Sequence, residues 1–193
     1  MLDSKYQRFY DEIVKKIKKE KIFTDKLHTL AYGTDASFYR LIPKIVIKTD
    51  NAKEVQDIIE LSNSLNLSIT FRAGGTSLSG QAISDSILVI TSRNFSNFKI
   101  TPDASYISLQ PALTGAQVNG LLAKYSKKIG PDPASINAAM IGGIAANNAS
   151  GMCCGISQNS YKTLKSMKLI FADGAKLDTG CQESKDALRK THG

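Results

Sequence analysis

The stretch Arg72-Ala73-Gly74-Gly75-Thr76-Ser77-Leu78-Ser79-Gly80-Gln81-Ala82 holds three glycines and three small hydroxyl residues within nine positions. So little side chain suits a turn whose backbone comes close to a ligand. Successive N–H groups in such a turn form a concave donor array, and the natural guest is a phosphate or diphosphate oxygen. Glycine is required where the turn needs positive φ, or where a Cβ would hold the guest away. The competing explanation is an ordinary glycine-rich surface turn. Two familiar phosphate loops do not apply. A Walker loop ends in Gly-Lys-Ser/Thr, whereas this stretch offers Ser79-Gly80-Gln81. The dinucleotide fingerprint spaces its glycines and opens into a helix. Here the glycines are adjacent, and residues 83–91 read as a strand.

A second group of small residues lies downstream: Gly130-Pro131-Asp132-Pro133-Ala134-Ser135, then Met140-Ile141-Gly142-Gly143-Ile144-Ala145-Ala146-Asn147-Asn148-Ala149-Ser150-Gly151. A large flat ligand could lie on such a surface with backbone along its edge. Close helix packing through Gly and Ala is the alternative.

The elements that must position these turns follow from periodicity. Apolar residues Phe9, Ile13 and Ile17 predict an amphipathic helix over residues 3–21, lying on the main domain or on a membrane surface. Residues 45–47 read as a buried strand. Asn51 and Glu54 form a capping box before a helix that ends near Asn66. Residues 67–71 give the next strand, so residues 45–47 and 68–71 are expected as parallel neighbours in a βαβ unit. The glycine loop then leaves the carboxyl end of a strand, where open α/β sheets bind ligands. Short strands follow at 86–90, 98–100 and 106–109. Thr114 caps a helix carrying Val118, Leu121 and Leu122. Asp173-Gly174 marks a hairpin, and residues 183–190 begin a helical pattern.

Composition narrows the class. The chain has 193 residues, 42% hydrophobic, with formal net charge +8. That supports one sizeable core or two small lobes. No apolar run reaches the roughly 20 residues that cross a bilayer, and the first residues lack a signal-peptide core. A soluble cytoplasmic protein is expected. The positive charge is dispersed, without the patch or recognition helix of a nucleic-acid binder. Three cysteines, two of them adjacent (Cys153-Cys154), make neither a disulfide framework nor a zinc site and are expected as small packed residues. His28 and His192 are expected at the surface.

With both groups in view, the chain resembles the FAD-binding domain of the vanillyl-alcohol-oxidase (PCMH-type) flavoproteins. Within these it is most similar to the bacterial FAD-linked D-lactate dehydrogenase and glycolate oxidase group. Thr34-Asp35-Ala36-Ser37 and Tyr39-Arg40 resemble the iron–sulfur-containing subset. The resemblance implies an α+β, two-lobed fold: a small βαβ lobe, and a larger mixed or antiparallel sheet lobe with helices. It divides the chain into a helical N-terminal extension (1–33) and an FAD-binding domain (34–193). FAD would lie between the lobes, bound non-covalently because Thr76 stands where covalent relatives carry a His. Implied cofactor-binding residues are Arg72, Ala73, Gly74, Gly75, Thr76, Ser77, Leu78, Gly80, Gln81, Pro133, Ala134, Ser135, Gly142, Gly143, Ala146, Asn147, Ser150 and Gly151. Pro111-Ala112 departs from the Pro-Gly common in the family. The implied activity is oxidation of a D-2-hydroxy acid (D-lactate or glycolate class) by hydride transfer to flavin N5. Electrons would pass to a downstream, respiratory acceptor, with peripheral association at the inner membrane face. No residue here is expected to be catalytic: the substrate domain and any iron–sulfur cluster would lie downstream, leaving this chain a fragment. The alternatives are the FAD domain of a cell-wall-precursor-type flavin reductase, or a non-enzymatic anion or nucleic-acid binder.

Overall fold

The computed structural model describes residues 2–192. Helix α1 (Ser4–Ile13) opens the chain, a 3₁₀ turn (Lys19–Lys21) follows, and β1 (Ile22–Phe23) and α2 (Lys26–Ala31) complete the N-terminal segment. Next come β2 (Ile45–Thr49), α3 (Ala52–Leu65), β3 (Ile69–Arg72) and β4 (Ile87–Thr91). These strands form one four-stranded sheet in the order β1-β2-β4-β3, in which β1 is antiparallel and the others parallel.

That order corrects one expectation. Strands β2 and β3 are not neighbours; β4 lies between them, parallel to both. Burial gives the reason. Ile87, Leu88 and Val89 of β4 are at most 1% exposed, so this strand needs cover on both faces and both edges. Strand β3 carries the exposed Phe71 and sits at the sheet's edge.

Helix α1 stops at Ile13, short of the expected Lys21. Its apolar face still goes inward. Phe9, Ile13 and Ile17 share one core with Ile22, Ile45, Ile47, Ile58, Ile87 and Val89, so no apolar face of α1 is left for a membrane surface. Each such side chain, fully buried, contributes about 1.5–3 kcal/mol. Residues before 33 thus supply both a strand and a core face to the main sheet. At the start of α3, Asn51 accepts from Glu54 N as expected. The Glu54 carboxylate, however, accepts from Asp50 N, one residue short of the reciprocal box.

The same carboxylate joins an ion cluster that ties the N-terminal segment down. Lys21 Nζ lies 2.8 Å from Asp50 and 2.6 Å from Glu54. Burial alone would lower the Lys21 pKa, but the two carboxylates raise it; burial alone would raise Asp50, but Lys21 and Ser92 lower it. The sign follows by linkage. Asp50, depressed when folded, stabilises above the unfolded carboxylate value of about 3.9 and loses that contribution as pH falls through its folded pKa. Lys21, raised when folded, stabilises below about 10.4 and loses it as pH rises further. Thermal unfolding should therefore show a plateau at intermediate pH, with acid lowering the midpoint and Lys21→Met flattening the acid limb.

The second region begins with the hairpin β5 (Phe98–Ile100) and β6 (Ile107–Leu109) and continues with α4 (Gly115–Ala123). Thr114 and Gln117 make a complete capping box at α4. Leu113, Val118 and Leu122 form its core, against which Ile100, Ile107, Leu109, Ile129 and Ile141 pack. Helices α5 (Ile141–Ala146) and α6 (Ser160–Thr163), the hairpin β7 (Lys168–Ile170) with β8 (Lys176–Asp178), and α7 (Gln182–His192) complete the fold. Gly174, at φ +89, turns the β7–β8 hairpin where Asp173-Gly174 called for it. Mixed and antiparallel sheets with helices make this an α+β protein. Cys154 is buried as expected, but Cys153 is exposed. Gly120 sits inside α4 with open space where a Cβ would stand; Gly120→Ala should raise stability by about 0.5–1 kcal/mol, readable as a higher unfolding midpoint.

Candidate functional site

The loop after β3 is a backbone cradle. Among the described residues, the N–H groups of Gly74, Gly75, Thr76, Ser77 and Leu78 donate to no protein acceptor, whereas Ser79 N turns inward to Ser77 Oγ at 3.2 Å. Gly75 and Gly80 hold φ of +64° and +69°, conformations that glycine takes without penalty. Ser77 Oγ donates to Gln81 Oε1 at 2.8 Å, closing the loop across its mouth. Leu78 and Gln81 point to the surface, and Thr76 is half-buried.

Arg72 takes an unexpected direction. Its side chain is only 8% exposed, and it runs beneath the loop rather than into it. Nε donates to Ala82 O at 2.7 Å, and Nη2 donates to the same oxygen. Burial lowers the guanidinium below its ordinary pKa while Asp35 opposes that shift. The cradle's attraction for an anion thus comes mainly from amides.

The two groups of small residues meet. A Cβ built on Gly143 would stand 3.6 Å from Ala73 Cβ, and one on Gly74 would stand 2.4 Å from Ala138 O. The chain between them is a tight turn: Ile136 N donates to Pro133 O, while Ala138 N and Ala139 N both donate to Ser135 O. Ala134 is exposed and Pro133 and Ser135 are half-buried on its outer side. Ala146, Asn147 and Ser150 are exposed at the far end of α5, where Asn147 Nδ2 donates back to Gly143 O at 3.1 Å.

Close packing accounts for the other glycines of this group. Gly142 N donates to Pro111 O, and a Cβ on Gly142 would lie 2.8 Å from Pro111 Cβ. On Gly151 a Cβ would fall 1.7 Å from Asp132 O. The close-packing explanation offered by the sequence is realised at each of these glycines, with different partners. Gly74 and Gly143 bring the two turns together; Gly142 and Gly151 lock the second turn to its surroundings. Three contributors carry no glycine signal. Ala138 forms the contact with the loop, the buried Ser160 Oγ donates to Ile144 O and Ala149 O behind α5, and Asp35 reaches the loop from residues 34–37.

Free amides beside small side chains suit a phosphate-bearing cofactor. Residues 43–180 match the FAD binding domain family, and the chain belongs to it. Its cofactor is FAD, and the cradle fits the diphosphate by donor count, small size and position at the end of a parallel strand. A D-2-hydroxyglutarate dehydrogenase of Haemophilus influenzae is 26% identical over 174 residues, covering 86% of this chain and 17% of the relative. A glycolate oxidase subunit of Escherichia coli is 28% identical over 161 residues, covering 80% of this chain and 32% of the relative. A D-lactate dehydrogenase of Archaeoglobus fulgidus is 24% identical, covering 74% and 32%. The chain thus spans 17% to 32% of these relatives' lengths. Among solved structures, an alkyldihydroxyacetonephosphate synthase superposes with TM-score 0.78 at 18% identity, covering 94% of this chain and 38% of that one. For p-cresol methylhydroxylase the values are 0.76, 13%, 96% and 38%. These likenesses establish the PCMH-type fold.

Proposed function

We propose that this chain is the flavin-holding part of an oxidoreductase that oxidises a D-2-hydroxy acid. The observation that carries the reading is the junction of the two turns at Ala73 and Gly143. It sets the loop amides beside the small residues of the second turn, as a diphosphate site next to a flavin edge would require, in a domain similar to three 2-hydroxy-acid enzymes. FAD bound there would accept the hydride from the carbon that bears the hydroxyl.

In this reading, the amides of residues 74–78 hold the diphosphate. Residues 133–135, with Gly143, Ala146 and Asn147, border the flavin end, where short side chains let backbone approach it. None of them is a general base. Their role is therefore to hold and border the flavin, and none of them takes the substrate's hydroxyl proton. The likeness of residues 34–40 to the iron–sulfur subset extends the proposal to re-oxidation by a respiratory acceptor. Thr76 has no imidazole to form a covalent link, so denaturation and filtration should release the flavin, and flavin retained on the polypeptide would contradict this.

The activity is tested by adding D-2-hydroxyglutarate, D-lactate or glycolate, without oxygen, to the native FAD-loaded protein. One of the acids should bleach the oxidised flavin's visible absorption. Bleaching by NADPH and by none of the acids would instead indicate a reductase of the cell-wall-precursor type.

A further inference from the structure

The glycine loop is held from below by a charged pair. Arg72 grips Ala82 O. Asp35, on a different segment, takes the other end of the same residue: Oδ2 accepts from Ala82 N at 3.3 Å, while Oδ1 accepts from Ser37 N at 2.8 Å. The next residue reaches the start of the loop, with Ala36 N donating to Gly75 O at 3.0 Å. Tyr39 closes over Gly80, whose Cβ position lies 2.8 Å from Tyr39 Cδ2. Residues 35–39 therefore contact the loop at Gly75, Gly80 and Ala82.

We propose that Asp35 is a positioning residue for the diphosphate cradle, clamping the Ala82 peptide together with Arg72 so that the amides of residues 74–78 stay converged without FAD. The inference rests on the FAD reading and deepens it. Three features argue for a clamp over a loop that merely packs. Both polar groups of Ala82 face ionised side chains: the Arg72 contact, at 2.7 Å, falls in the charge-assisted range, and the Asp35 contact, at 3.3 Å, is longer. Arg72 and Ala82 are each 8% exposed, so water competes poorly. A cation adjacent to an anion cradle is also turned away from it, which makes sense if its task is to hold the loop.

Asparagine at position 35 separates the clamp from a local role. Asn can still accept from Ser37 N and keep its own turn, but it has one acceptor oxygen, and its amide would face Ala82 N with a donor. If Asp35 only shapes its turn, Asp35→Asn will bind FAD like the wild type. If it clamps the loop, Asp35→Asn and Asp35→Ala will both raise the FAD dissociation constant by about tenfold. Wild-type affinity in Asp35→Asn, with wild-type amide exchange at Ala82, overturns the proposal.

Amide hydrogen exchange on the flavin-free proteins gives a readout independent of cofactor. The clamp predicts faster exchange across residues 74–82 in Asp35→Asn, with α3 and β4 unchanged. Failure of wild-type protein to take up FAD would count against the cofactor reading, while the exchange comparison would still decide the clamp.

Discussion

Gly74→Ala should leave a folded protein that has lost most of its affinity for FAD. The φ at Gly74 lies outside the left-handed range, so alanine brings no backbone strain there. The cost is steric. The new Cβ would stand 2.4 Å from Ala138 O and 3.3 Å from Ala139 Cα. Both are backbone atoms of a turn tied down by hydrogen bonds to Ser135 O, so no flexible side chain can swing aside. The two turns must separate by about 1 Å, costing about 1–3 kcal/mol of stability. Displacement on that scale in a preorganised site can cost as much as 10²-fold in function, and a rise of at least about tenfold in the FAD dissociation constant is expected. Gly143→Ala is the matched control. Its Cβ would sit at 3.6 Å from Ala73 Cβ, an ordinary contact, so its unfolding midpoint should hold. Equal affinity in Gly74→Ala and wild type would show that the junction does not shape the site.

Gly151→Ala is expected to cost more stability than any other single methyl group considered. Its Cβ would lie 1.7 Å from Asp132 O and 2.4 Å from Asp132 C. Asp132 belongs to the Gly130–Ser135 stretch, and that stretch is itself pinned, because a Cβ on Gly130 would meet Gln158 O at 2.7 Å. Neither side has room to yield. Overpacking against backbone on both sides is expected to cost about 3 kcal/mol, a fall of about 6–12 °C in the unfolding midpoint for a chain of this size. Because residues 133–135 border the proposed flavin end, binding should weaken in parallel. An unfolding midpoint within 2 °C or so of wild type would mean that residues 132 and 151 are not in contact.

These two glycines also show what the sequence discloses. The loop at residues 72–82 is legible as a tight turn because adjacent glycines and short hydroxyls follow a strand, but an ordinary surface turn has the same composition, and only the backbone geometry shows amides without protein acceptors. The caps at Asn51 and Thr114 and the turn at Gly174 are legible for the same local reason. Strand order is not local. Strands β2 and β4 are both apolar runs, and nothing within either says which takes the centre; that depends on what covers the faces of β4. The direction of Arg72 is equally hidden. A cation beside an anion cradle invites a ligand contact, and only the position of Ala82 O, ten residues on, shows the guanidinium turned beneath the loop. Asp35 is separated from its partner Ala82 by 47 positions, beyond the reach of any spacing argument. Among the glycines of the second group, type alone cannot tell which element each one packs against; Gly142 meets Pro111 and Gly143 meets Ala73.

FAD binding in the proposed manner depends on main-chain donors at two joined turns, and backbone amide resonances report on them directly. With FAD added to isotope-labelled protein, the amides of residues 74–78 should shift most and gain protection from exchange, accompanied by residues 133–135 and Gly143. If FAD binds while those amides keep their free-state shifts and exchange rates, with the changes centred elsewhere, the cradle is not the site and the account is wrong.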